Sequence, residues 1–165
     1  MLHLQLLSLK DLEINVNNSL GFIVSKTSRA MHRALGREFS GSGIDVGSDH
    51  WIILVHLHRQ DGYTQQELSS LTMNEKTSLT RILNTMEKKG LVVRIPDQHD
   101  RRVKRIYRTL KAKELQEQLF ASAQLVLAQA AEEIPPEDLE LCKNVLRKVY
   151  RNLEGRDLKF PDNNL

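Results

Sequence analysis

A single cysteine, Cys142, rules out any disulfide within the chain, and neither it nor the six histidines stand at the spacing of a zinc knuckle. That scarcity fits a reducing compartment, so a cytoplasmic protein is expected. No stretch approaches 18 uninterrupted apolar residues, and the opening MLHLQLLSLKDLEINVNN lacks both a cationic start and a small-residue cleavage site. The chain is expected to be neither secreted nor membrane-spanning. There is no Gly-rich phosphate loop, no HExxH and no GxSxG. Asp97, His99 and Asp100 lie close together, but on a cation-rich loop with no nucleophile beside them, so no catalytic residue, cofactor or enzyme activity is expected. His56 and His58, two apart on a helix, would stand roughly 200° apart around its axis and could not share one metal ion. No metal site is expected.

What the chain does have is localised charge. Its net charge over 165 residues is only +3. Yet residues 74–111 carry eleven Lys and Arg against four Asp and Glu, so the remainder is net negative. A one-signed stripe on a near-neutral body is the footprint of a polyanion binder, whereas an ordinary solvated helix face mixes signs. The densest part is PDQHDRRVKRIYRTL, residues 96–110, with five Lys or Arg and one histidine against two aspartates.

The length allows one core of ordinary size, and the periodicity of the sequence suggests how it is built. Leu20, Ile23, Met31, Leu35 and Phe39 fall at roughly helical intervals across residues 18–39, and SGSG ends that run. GSDHWIILVHLHRQDG reads as a second, centrally buried helix with Ser48 as its N-cap. In TQQELSSLT, Thr64 and Glu67 make a capping box, which predicts a short helix over about 65–71. TMNEKTSLTRILNTMEKKGL then starts again at Thr72 or Asn74 and sets Leu79, Ile82, Leu83 and Met86 on one face before Gly90 ends it.

Two helices joined by a tight connection make a helix-turn-helix. With the apolar stripe turned inward, Lys76, Thr77, Ser78, Thr80, Arg81 and Asn84 are the candidates to meet base edges in a major groove. LVVRIP and VKRIYRTL follow as two strands, the second with Ile106 and Leu110 on one face and Arg105 and Tyr107 on the other. Their basic tip forms a wing. The expected architecture is therefore mainly α, α+β in class: a winged helix-turn-helix core over about 47–110 with a two-stranded wing.

LTRILNTMEKKGLVVR and DQHDRRVKRIYRTLKAKEL resemble the recognition helix, first strand and wing of the MarR transcriptional regulators. The resemblance extends over residues 18–155, leaving 1–17 as an N-terminal extension and 156–165 as a tail. It implies that Arg102 enters the minor groove, that Asp100 braces the loop, and that Arg101 and Lys104 contact phosphates. Two residues depart from the family pattern. Ala112 stands where glycine is usual, favouring a straighter junction, and Arg108 stands where an apolar residue is usual, so that it must snorkel or pair with an acid.

Two further helices are expected in the last third. The first carries Leu115, Leu119, Phe120, Ala123, Val126, Leu127 and Ala130 as its stripe. The second restarts at Pro136 with Leu139, Cys142, Val145, Leu146, Val149 and Leu153. Placing Cys142 on this stripe predicts a buried, inert thiol. Helices over about 18–40 and 111–155 offer more apolar surface than a small winged core can cover, which points to a homodimer on a pseudo-palindromic duplex site. The resemblance also implies a small aromatic or anionic effector, with Arg29, His32, His50, Trp51 and Tyr107 as candidate lining residues. The expected function is sequence-specific binding of double-stranded DNA as a repressor. The competing classes are a winged-helix module that docks on an acidic protein without reading DNA, and an RNA-binding winged helix, for which only Tyr107 offers a stacking aromatic near the wing.

Overall fold

The computed structural model describes residues 18–157, so the proposed extension at 1–17 and most of the proposed tail lie outside the described residues. Helix α1 spans Leu20–Gly41 and α2 spans Ser48–Arg59. A two-residue strand β1 (Tyr63–Thr64) leads into α3 (Gln65–Thr72) and α4 (Lys76–Lys88). Strands β2 (Val92–Pro96) and β3 (Lys104–Arg108) form the wing, and α5 (Leu110–Glu114), α6 (Gln116–Ala130) and α7 (Pro136–Glu154) complete the chain. This is the expected winged, mainly helical architecture with one addition. Strand β1 pairs antiparallel with β3 through Tyr63 and Ile106, so the sheet has three strands in the order β1-β3-β2.

The helix starts show which local signals prevail. Ser19 Oγ accepts from the Phe22 amide at 3.3 Å and caps α1. For α2 the N-cap is Gly47 rather than Ser48. The Gly47 amide donates to Nδ1 of His50 at 3.0 Å, so an imidazole in the first turn supplies the acceptor expected of a hydroxyl. Burial, then the charge of Lys89, lowers the His50 pKa below the usual histidine value, which suits a ring that accepts a hydrogen bond. Helix α4 begins at Lys76 with Glu75 as its N-cap, later than either Thr72 or Asn74. Thr72 instead belongs to α3, where its hydroxyl donates to the Leu68 carbonyl at 2.7 Å.

Between α1 and β3 the chain closes around one core. Phe39, Ile53, Leu57, Leu68, Leu79, Leu83, Met86 and Ile106 are all fully buried, and Leu119 from α6 joins them. Ile106 faces this core as expected. Leu110 does not: Thr109 ends the strand and caps α5 by accepting from the Ala112 amide at 3.2 Å, which leaves Leu110 in the first helical turn and 72% exposed. Ala112 is buried, and only Leu115, itself in right-handed helical geometry, separates α5 from α6.

Helix α7 stands apart from this packing. Pro136 occupies its first turn as expected, and Gly155, at φ 65°, closes it. None of its residues is buried, and Leu141, Val145, Leu146 and Leu153 are all exposed. Cys142 is exposed with them, so the expectation of a buried thiol is overturned: the stripe exists, but nothing among the described residues covers it. No helix among the described residues is long and apolar enough to cross a membrane.

Candidate nucleic-acid interface

The turn between α3 and α4 is fixed before any outward-facing group is considered. Thr64 Oγ1 accepts from the Glu67 amide at 3.2 Å, and Glu67 Oε2 accepts from the Thr64 amide at 2.7 Å. This closes the capping box and holds the Glu67 carboxyl below its usual range. Met73 then adopts the left-handed region at φ 55° and ends α3. Ser69 donates to the Asn74 carbonyl at 2.7 Å, tying the connection back to the helix it left.

On α4, Leu79, Ile82, Leu83 and Met86 are buried. Lys76, Thr77, Arg81 and Asn84 are exposed on the opposite side, while Ser78 and Thr80 are half-buried at its margin. Two of these side chains are already engaged within the protein. The Thr80 hydroxyl donates to the Lys76 carbonyl at 2.7 Å and accepts from Gln65 Nε2 of α3. Asn84 Oδ1 accepts from Nη2 of Arg94 at 2.9 Å, and Arg94 Nη1 pairs with Glu87. The wing strand is thus fastened to the recognition helix through Arg94, a tertiary link that no sequence periodicity signals.

Aspartates organise the wing. Asp97 Oδ1 accepts from the amides of His99 at 2.8 Å and Asp100 at 3.2 Å, and Oδ2 pairs with Arg105 Nε. The Arg105 guanidinium first, then those amides, hold the Asp97 carboxyl down to about 2. Arg105 also donates to the Gly62 carbonyl at 2.9 Å, so it anchors the wing to the loop before β1. Asp100, the residue expected to brace the loop, accepts from the Arg102 amide at 3.0 Å and its Nε at 3.1 Å. The Arg102 side chain is nevertheless 92% exposed. Arg101 and Lys104 are exposed as well. Among the described residues these two, with Lys76 and Arg81, enter no ion pair. An open depression of about 590 Å³ lies between Gln65, Gln66 and Glu67 on one side and Arg94, Arg102 and Lys104 on the other.

The five candidate effector residues have different surroundings among the described residues. Arg29 and His32 are exposed along α1. His50 borders a depression of about 480 Å³ with Gly36, Asp45 and Lys89. Trp51 packs edge-on against Phe39 and Phe120, with ring centroids 5.9 and 5.0 Å away. Tyr107 lies over Gly62, where an added Cβ would come within 3.0 Å of the phenol oxygen and where φ is +92°, so only glycine fits.

Arg108, one of the two departures, is largely buried and paired. Its guanidinium meets Asp61 at 3.1 Å, Gln116 Oε1 at 2.7 Å and His58 Nδ1 at 3.2 Å. The base of β3 is therefore bonded at once to the end of α2, the loop after it and the start of α6.

Comparison with known proteins agrees with this geometry. A family model described as the MarR family matches residues 42–103. A solved structure of the transcriptional regulator PA3341 is 35% identical, covers 84% of this chain and 100% of its own, and superposes with a TM-score of 0.71. A mutant MarR from E. coli complexed with operator DNA is 21% identical, covering 79% of this chain and 92% of its own with a TM-score of 0.73. YybA of Bacillus subtilis (strain 168), described as an uncharacterized HTH-type transcriptional regulator, is 22% identical over 83% of this chain and 89% of its own. On its fold, its winged core and this likeness along most of its length, the chain belongs to the MarR family of winged-helix transcriptional regulators.

Proposed function

We propose that this protein is a sequence-specific repressor that binds double-stranded DNA as a homodimer on a pseudo-palindromic site. The observation that carries the reading is the pairing of an exposed ridge with an exposed tip: Lys76, Thr77, Arg81 and Asn84 on α4, and Arg101, Arg102 and Lys104 on the wing. In this reading α4 enters a major groove, Arg102 reaches the neighbouring minor groove, Asp100 holds it in position, and Arg101 and Lys104 neutralise phosphates. Dimerisation is supported by α7. An amphipathic helix with no buried residue does not hold its shape in water unaided, and a second copy would supply the missing surface.

Repression follows from occupancy, since a dimer spanning two half-sites covers promoter DNA against other proteins. A small aromatic or anionic effector would enter beside His50 and Lys89, at the depression between the end of α1 and the start of α2. Arg29, His32, Trp51 and Tyr107 would then act on it only through motion of the elements that carry them. A thermal-shift screen of aromatic acids checks this; no stabilisation by any of them counts against it.

The test of the main reading is selection of bound sequences from random duplex DNA, followed by a salt titration on the selected site. A palindromic consensus and a log–log salt slope of several units are expected. Arg102→Ala should weaken binding to all sequences, whereas Arg81→Ala should also relax preference at one base pair by about tenfold or more. A salt-independent affinity, or enrichment of no sequence, overturns the reading. Binding to an acidic protein with neither property would favour an interaction module instead.

A further inference from the structure

Resting on the homodimer reading, we infer that the cationic face of α1 is a docking surface for a second copy of this chain, covered by the acidic segment that joins α6 to α7 in that copy. The argument begins with spacing. Lys26, Arg29, Arg33 and Arg37 follow one another at intervals of three, four and four residues, so at about 100° per residue they fall within an arc of roughly 80° and run along about 16 Å of helix. All four are exposed. Leu35 and Phe39, which pack into the core, lie on the other side of the helix, and Glu38, the one acid of α1, lies off the stripe and accepts from Ser42.

Within the chain these charges go unanswered. Among the described residues none of the four enters an ion pair, and Lys26 lies over the Phe22 ring at 5.4 Å. Each cation instead neighbours the next at the spacing where like charges repel across a helix. The stripe therefore weakens α1 taken alone, and an anionic partner relieves it.

Its complement lies in the same sequence. Residues 114–142 carry seven Asp and Glu and no Lys or Arg. Five of these acids, Glu132, Glu133, Glu137, Asp138 and Glu140, cluster in the turn after α6 and the start of α7, where all are exposed. Among the described residues only Glu140 of the five is paired, with Lys143, and no ion pair joins the segment to the α1 stripe. A twofold contact presents both surfaces from each copy, so stripe and segment can meet twice. Exposed charge pairs add little affinity, which the apolar stripe of α7 supplies, but they decide which surfaces face each other and turn away partners of the wrong sign. A duplex is the competing polyanion, yet α1 packs mainly against α6 and α2 rather than against α4 or the wing strands.

The test is a charge swap read by sedimentation equilibrium. One variant carries Arg29→Glu and Arg33→Glu, the other Glu132→Lys and Glu137→Lys, all at exposed positions. Each variant alone sets like charges together in both contacts, and its dimer dissociation constant should rise about tenfold or more. An equimolar mixture of the two, one of them fluorescently labelled, should form a heterodimer about as tight as the wild type. Acid then meets base at both contacts, a rescue that pairing within one chain cannot give. The wild-type dimer should also weaken between about 0.1 and 1 M sodium chloride. Variants that dimerise as tightly as wild type, or a mixture no tighter than either variant alone, overturn the inference while leaving the homodimer standing. So does a stripe reversal that lowers the salt slope of DNA binding without weakening the dimer, which would make α1 a duplex contact. If a reversed variant does not fold, the wild-type salt comparison decides, and an unchanged constant overturns the inference. A wild-type chain that stays monomeric at every concentration removes both.

Discussion

The winged core and helix α7 both carry Leu and Val in apolar stripes, but with opposite fates. In the core, Leu79, Leu83 and Met86 disappear completely among Phe39, Ile53 and Leu68. In α7, Leu141, Val145, Leu146 and Leu153 remain at the surface. The difference lies in what each stripe faces. Residues of α4 meet α3, β2 and α2 within the same chain, whereas α7 follows α6 and, among the described residues, packs on no other element to any substantial degree. Among the described residues one region buries its own stripe, whereas α7 leaves its stripe for the second copy that the proposed dimer would supply.

Substitutions can break or sharpen that contrast. The largest effect is expected from Leu83→Ala, which opens a cavity in the core and should cost about 2–5 kcal/mol in urea unfolding. Next comes Leu146→Asp. It should leave unfolding of the core unchanged but convert a dimer to a monomer in sedimentation, and weaken binding to a two-half-site duplex by about a hundredfold, or roughly 2.7 kcal/mol. If instead it destabilised the core as much as Leu83→Ala, α7 would be packing internally and the contrast would fail. Thr64→Ala, which removes the cap of α3, should cost about 1 kcal/mol without altering oligomeric state.

The smallest effect concerns pH. Burial lowers the pKa values of His50 and His56 in the folded chain below 6.5. The unfolded chain therefore takes up protons first, and stability should begin to fall as the pH drops below about 6.5. Asp97, held at about 2 against an ordinary 3.8, contributes fully above 3.8 and loses its contribution between those values. Thermal melts should thus fall between pH 7 and 5, while the His99 amide resonance, which reports its bond to Asp97, stays unchanged until well below pH 4. Loss of that resonance signature at pH 5 would show the wing to be less firmly braced than α2.

The sequence was readable where the signal is local. The capping box of Thr64 and Glu67, the spacing from Leu79 to Met86, and the paired strands around the basic tip are properties of neighbours along the chain. The misplacements arise where a distant or unusual partner decides. Gly47 rather than Ser48 caps α2 because an imidazole three residues on provides the acceptor, and Glu75 precedes α4 without any side-chain bond to mark it. Leu110 left the strand because Thr109 makes a better cap than strand residue. Arg94 to Asn84, Gln65 to Thr80 and Arg105 to Gly62 join residues from different elements, and nothing in the order of residues announces them. Arg29, His32, His50, Trp51 and Tyr107, grouped by the family resemblance, have different neighbours within the chain, and such contacts are again not written in the order of residues.

Arg108 shows what a buried charge does mechanically. Bonded to His58, Asp61 and Gln116, it acts as a rivet through three pieces of backbone. Tilting α6 away from the hairpin would take Gln116 from a largely buried guanidinium and leave it with His58 and Asp61 alone, a cost that resists separate movement of hairpin root and helix. A shift of α6 would therefore be felt at the root of the hairpin.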